Sequence, residues 1–215
     1  MTRMIFVRHG ESFGNLERRF YGHFDRGLTD LGKKQAEKTG EYIAKNYKID
    51  VAYASDLQRA YDTGCRIASK QNLDVIAHKG LREISAGKWE NQLFTDIEAN
   101  FAKDYDLWKS DIYISRPTGG EAVKDLCDRI RETVWEIAKE NDGKTVLLAL
   151  HATPIRSLEC EWRGEPYETM KDHIWVKNAS VSVVDYDTTN HKVSPIVIGE
   201  ADFLSDIATS LPKTI

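Results

Sequence analysis

The sequence predicts an α/β fold of three layers, helices over both faces of a mostly parallel central sheet. Three observations predict it. Short apolar strands alternate with longer segments of helical spacing; Val146 to Leu150 is almost wholly apolar, as a central strand covered on both faces should be. At 215 residues the chain suits one domain, 1–215, with an insertion at about 93–118.

Met4 to Val7 reads as a buried strand, bounded by charged residues, and a long polar loop follows it. Thr29 is an N-cap for a helix over Asp30 to Asn46, with small or apolar residues at Ala36, Gly40, Ile43, Ala44 and Tyr47. Val51 to Ala54 is a second strand, after which Leu57, Ala60, Tyr61, Gly64, Cys65 and Ala68 recur at helical spacing. Val75 to Ala77 is a weak third strand, and Leu81, Arg82 and Glu83 lie in the loop beyond it. The irregular stretch from Leu93 to Pro117, with Trp108 and Tyr113, is the insertion, expected to form part of a pocket cover. Val123, Leu126, Cys127, Ile130, Val134, Ile137 and Ala138 make the cleanest amphipathic helix, ending near Asn141. Val181 to Tyr186 and Val193 to Ile198 are two last strands, and antiparallel additions to the sheet are expected only from them or from the insertion.

Composition bounds the function. A charged fraction of 30% and a hydrophobic fraction of 41% are those of an ordinary globular protein. The net charge of -4 argues against nucleic acid, which needs a surplus of Lys and Arg on one face. No apolar run approaches the roughly 20 residues of a membrane span, and the N-terminus lacks a signal-peptide core, so a cytoplasmic location is expected. Cys65, Cys127 and Cys160 are odd in number and far apart, which suggests neither disulfides nor zinc; Cys65 and Cys127 read as small buried residues of helices. His23, His78, His173 and His191 read as surface or packing histidines, and Trp89, Trp108 and Trp135 as core or pocket wall.

Chemistry gathers at the strand ends. Arg8-His9-Gly10-Glu11-Ser12 ends the first strand, Ser55 and Arg59 follow the second, Glu83 the third, and His151 the apolar run. In open α/β sheets those ends share one crevice. Two arginines, two histidines and a carboxylic acid there, without metal-ligand spacing, compose a site for a phosphoryl group: fixed cations, a nucleophile and a proton donor.

These blocks, with Asn15, Leu28-Thr29-Asp30-Leu31-Gly32, Gln35-Ala36, Ser55-Asp56-Leu57-Gln58-Arg59-Ala60, Leu81-Arg82-Glu83, Gly87, Trp89-Glu90, Gly119-Gly120-Glu121 and Asn178-Ala179-Ser180, resemble the histidine phosphatase superfamily, which includes the phosphoglycerate mutases. The resemblance implies a phosphoglycerate mutase-like fold and a phosphohistidine on His9. It implies that Arg8, Arg59 and His151 spread transition-state charge, that Glu83 protonates the leaving alkoxide, and that Asn15 and the loop around Tyr21-Gly22 hold substrate. His151 is followed by Ala152 where the family generally has glycine; Ala152 still offers its N–H. No metal and no cofactor are implied.

The expected substrate is a small phosphate ester, with no nucleic acid or membrane partner and the oligomeric state open. A cofactor-dependent mutase is the second reading. It is less favoured, because the family's mutases carry paired arginines in the insertion and this one holds only Lys103, Lys109 and Arg116 as cations. A third reading is a non-catalytic phosphate-binding module. Arg18, Arg19, Arg82 and Lys88 lie in loops beside the motifs, where solvated surface charge is the commoner reading and contact to a carboxylate or second phosphate the alternative.

Overall fold

A computed structural model describes residues 1–209. The chain begins with β1 (Thr2–Arg8), a short α1 (Phe13–Glu17) and α2 (Asp30–Asn46), then β2 (Val51–Ala54), α3 (Gln58–Ala68) and β3 (Val75–Ala77). The insertion supplies α4 (Phe94–Asn100) and α5 (Ala102–Ser110), before α6 (Val123–Glu140), β4 (Thr145–Leu150), α7 (Ala152–Arg163), β5 (Val181–Asp187) and β6 (Lys192–Glu200). The strands form one sheet in the order β3-β2-β4-β1-β5-β6. The first four are parallel and the last two antiparallel, so the antiparallel additions come from the chain's end and the insertion is helical.

Alternation along a strand builds two cores. Met4 and Phe6 face a layer with Val146, Leu148, Val134 and Trp162, whereas Ile5 and Val7 face the other with Leu147, Ile43 and Ile67. The caps follow the sequence: Thr29 Oγ1 accepts the Gly32 N–H at 3.0 Å at the start of α2. Of the cysteines, Cys127 is buried as expected, but Cys65 is only half-buried on α3, outside the buried set of that helix, Arg59, Ala60, Thr63, Gly64, Ile67 and Ala68.

Four helices escape the sequence reading, α4 and α5 inside the stretch read as irregular and two elsewhere. The polar loop after β1 contains α1, one turn closed by a capping box between Ser12 and Asn15. Helix α7 follows His151 as its N-cap residue, tolerates Pro154 in its first turn where backbone N–H groups have no helical partner, and is buried on nearly every side from Thr153 to Cys160.

What matters for the site is that β2, β4 and β1 are neighbours. Their ends are in step: His9 N–H donates to Leu150 O and Ser55 N–H to Ala149 O, both at 2.9 Å. His9, His151 and Ser55 therefore emerge side by side at the carboxyl edge of the sheet. Close crossing of the chain behind them requires glycine: a Cβ on Gly10 would stand 2.3 Å from Gly32 O, and one on Gly32 2.0 Å from Glu11 O.

Candidate active site

His9 is buried, with Nδ1 2.7 Å from Gly10 O. A carbonyl can only accept, so Nδ1 carries the proton and Nε2 keeps its lone pair. Burial, then the charges of Arg59 and Arg8, push the imidazole well below the usual histidine range, so the ring is neutral near pH 7.

Both arginines are buried cations. Arg8 donates from Nη1 to Val176 O at 2.6 Å, while its Nε has no partner among the described residues. Desolvation lowers it to about 10, which leaves it protonated at neutral pH. Arg59 is 1% exposed and donates to the carbonyls of Tyr21, Gly22 and Phe24 at 2.9 to 3.2 Å, with Asp25 as its ion-pair partner at 3.1 Å. Burial lowers Arg59 as well, against the pull of Asp25 and Glu83.

Glu83 is oriented by backbone: its oxygens accept the N–H groups of Ile84 at 2.8 Å and Thr153 at 3.3 Å. His151 is fully buried, with its ring edge-on to His9, centroids 5.3 Å apart. Burial and then Arg59 depress this histidine too. Asn15 Oδ1 accepts from the Ser12 N–H and from Asn178 Nδ2, which fixes the amide's orientation beside the pocket.

Together these residues border a cleft that opens to solvent. Arg8, His9, Asn15, Tyr21, Arg59, Glu83 and Ala152 line it, whereas His151, also expected among the substrate contacts, stands beside His9 just outside the lining because it is fully buried at the end of β4. Gly22 is a correction: it does not line the cleft, because it packs on the 84–90 loop, where an added Cβ would sit 2.5 Å from Glu90 Oε1 and 2.6 Å from Ile84 O. Phe94 and Trp108 of the insertion form part of the wall with Phe20 and Trp175. Arg18 and Arg19 reach the lining; Arg82 and Lys88 do not, and Arg82 forms a two-pronged pair with Asp56 at 2.5 and 2.6 Å. Among the described residues no cluster of His, Cys, Asp and Glu could hold a metal, and no helix is long and apolar enough to cross a membrane.

A model of the histidine phosphatase superfamily (branch 1) matches residues 4–197. The chain belongs to the histidine phosphatase superfamily.

Phosphoserine phosphatase 1 of Hydrogenobacter thermophilus is 31% identical over 164 residues, covering 76% of this chain and 77% of that one. A mycobacterial glucosyl-3-phosphoglycerate phosphatase, solved with VO3, is 26% identical with a TM-score of 0.84 over 93% of this chain and 99% of its own. YhfR of Bacillus stearothermophilus shares the fold, with a TM-score of 0.89 at 24% identity over 95% of this chain and 100% of its own. Superfamily membership and these phosphatases make the chain a phosphoric monoester hydrolase.

Sequence reasoning passed over the residues that hold this histidine phosphatase pocket in shape. Arg129 pairs in two-pronged fashion with Glu121, both contacts 2.9 Å, and donates to the carbonyls of Gly80 and Arg82 in the loop that carries Glu83. Glu90 accepts the N–H groups of His23, Phe24 and Ala86, tying the loop under Arg59 to the loop after Glu83. His23 is part of this packing, its Nε2 3.0 Å from Glu83 O. Only the family blocks Trp89-Glu90 and Gly119-Gly120-Glu121 signalled two of these positions; Arg129 and Asp25 carried no signal, since a charged helix or loop residue ordinarily faces solvent.

Proposed function

We propose that the chain hydrolyses a small, carboxylate-bearing phosphate monoester through a phosphohistidine on His9. The observation that carries the mechanism is the tautomer of His9. Its Nδ1–H is engaged by Gly10 O, and burial, then the charges of Arg59 and Arg8, keep the ring neutral, so Nε2 is a lone-pair nucleophile at neutral pH. In the first step Nε2 forms a bond to phosphorus as the ester P–O bond breaks. Arg8 and Arg59, with His151, balance the charge on the equatorial oxygens. Glu83 gives its proton to the leaving alkoxide, then takes one from the water that cleaves the P–N bond. The Thr153 and Ala152 edge and the amide of Asn15 complete the cradle.

The lining also supports a substrate class. Arg18 has no ion-pair partner among the described residues, whereas Arg19 is engaged by Glu17 at 3.2 Å and by Asn91 O at 2.7 Å. Glu83 is the sole carboxylate among the described lining residues. A phosphoglycerate-like ester finds Arg18 for its carboxylate; phosphoserine brings an ammonium that finds no further acid. The cations of the insertion do not reach the cleft, and Lys109 and Arg116 pair with acids of their own surroundings, which supports hydrolysis over mutase transfer.

Two measurements test this reading. Rapid-quench trapping should yield an acid-labile, base-stable phosphoprotein with the parent and none with His9→Ala; an equally labelled His9→Ala defeats the mechanism. In a panel of phosphate esters, 3-phosphoglycerate should be favoured over phosphoserine, and Arg18→Ser should raise KM for it by roughly five- to tenfold, the scale of one partly exposed charge-assisted contact. Preference for phosphoserine, or an unmoved KM, defeats the substrate class.

A further inference from the structure

The hydroxyl of Ser55 has no part in the mechanism above, yet it is fully buried at the end of β2 with its Oγ 2.9 Å from His151 Nε2. Ser55 Oγ also accepts the Leu57 N–H, at 3.3 Å. On the other side of the imidazole, Nδ1 is buried and has no partner among the described residues. Resting on the reading of His151 as a phosphoryl contact, we propose that Ser55 is a positioning residue: it donates its proton to Nε2 and fixes His151 as the Nδ1–H tautomer, so that Nδ1 meets the phosphoryl group as a donor.

Counting protons decides between the arrangements. A neutral imidazole has one N–H and one lone pair. If Nε2 carried the proton, it would donate to Ser55; the serine proton would then have no acceptor, and Nδ1 would turn a lone pair toward an anionic substrate. Two buried polar groups would be unsatisfied and one contact repulsive. If Ser55 donates instead, its hydroxyl both gives and accepts, the ring is satisfied at Nε2, and the remaining N–H is what a phosphoryl oxygen, which can only accept, requires. A doubly protonated ring would also present Nδ1–H. Burial and then the neighbouring charge of Arg59 oppose it. The Nδ1 donor must therefore come from tautomer choice, and Ser55 is the side chain in contact with the atom that decides it.

The two histidines thus hold the same tautomer by opposite means. Gly10 O can only accept, which puts the proton on His9 Nδ1 and leaves Nε2 as lone pair. Ser55 donates to His151 Nε2 and leaves Nδ1 as donor. One contact makes a nucleophile and the other a hydrogen-bond donor, from the same side chain.

Long-range 15N–1H NMR on the whole histidine-labelled protein, with the His151 signals assigned by their loss in His151→Gln, reads the tautomer without reference to turnover. The parent should show a protonated Nδ1 and an unprotonated Nε2. Ser55→Ala should shift the ring toward the Nε2–H form and lower kcat by about ten- to a hundredfold, the usual cost of losing an orienting partner behind an active-site histidine, with KM changed less than kcat. Ser55→Thr, which keeps the hydroxyl, should recover the tautomer and most of the rate. A parent His151 protonated at Nε2 overturns the proposal even where Ser55→Ala fails to fold, and so does a Ser55→Ala protein with the parent's tautomer or the parent's kcat. If the parent tautomer is as stated but His151→Gln turns over normally, the role given to His151 in the mechanism is what fails.

Discussion

The floor and the wall of the cleft are built by different rules. The floor is the carboxyl edge of β1, β2 and β4, where backbone hydrogen bonds at 2.9 Å set the positions of His9 and Ser55 before any side chain is considered. The wall is a packed set of aromatic rings, Phe20 of a loop against Phe94 and Trp108 of the insertion's helices at 5.8 and 5.3 Å between centroids, with the buried Trp89 supporting Phe20 at 5.6 Å. Position in the floor is fixed by sheet register; in the wall a few backbone bonds, Phe20 N–H to Gln92 O at 2.9 Å and Phe94 N–H to Arg18 O at 3.2 Å, join loop to helix, and the burial of the rings sets the rest. Chemistry belongs on the first, and selection among substrates can drift on the second.

The comparison breaks most severely at His9. His9→Ala should lower turnover by about four orders of magnitude or more, as removal of a covalent nucleophile does, with thermal unfolding close to the parent's; phosphate release by a continuous assay checks it. If the variant keeps even a hundredth of the rate, the floor is not where reaction occurs. On the wall, Trp108→Ala should cost about 3–5 kcal/mol of stability, the usual range for removing a buried tryptophan. Chemical denaturation measures that loss. The folded fraction should keep kcat within a few-fold while KM rises; a collapse of kcat at intact stability would mean that wall and floor are not separable.

A smaller effect sharpens the electrostatics of the floor. Arg8 helps hold His9 well below the usual histidine range, so Arg8→Met removes a repelling charge and the acid limb of kcat/KM should move to higher pH. An acid limb that stays in place, or moves down, contradicts the assignment of that limb to His9. The same depression has a stability sign. Unfolded histidines take up protons near their ordinary value of about 6.5 while His9 and His151 resist, so the unfolded state gains protons first and folding weakens as pH falls below that point.

The contrast also explains what was legible in the sequence. Strand edges are marked by apolar runs that stop abruptly, which is why Val51 to Ala54, the end of Val146 to Leu150, and the cap at Thr29 read directly. Helix α7 did not, because Arg156 and Glu159 are buried along with Ile155 and Leu158, leaving no polar face to set the period. Helix α1 is shorter than the window in which a period can be seen. Of the site, His9, Arg8, Arg59 and Glu83 were placed by strand-end position and family blocks together, but Gly22 was put in the lining when it instead packs on the 84–90 loop. Arg129 and Asp25 were invisible, since their value lies in carbonyls and guanidinium groups that approach them only after the chain has folded.

The guanidinium of Arg59 grips the carbonyls of Tyr21, Gly22 and Phe24 while it faces the cleft. In the proposed mechanism one charged group is thus shared between that loop and the phosphoryl group of the substrate. Thermodynamic reciprocity then ties the two: whatever free energy an oxyanion gains from finding that loop closed, the loop gains from finding the oxyanion bound. Amide hydrogens of the Tyr21 to Phe24 segment become a reporter of occupancy, exchanging with solvent more slowly as phosphate fills the cleft.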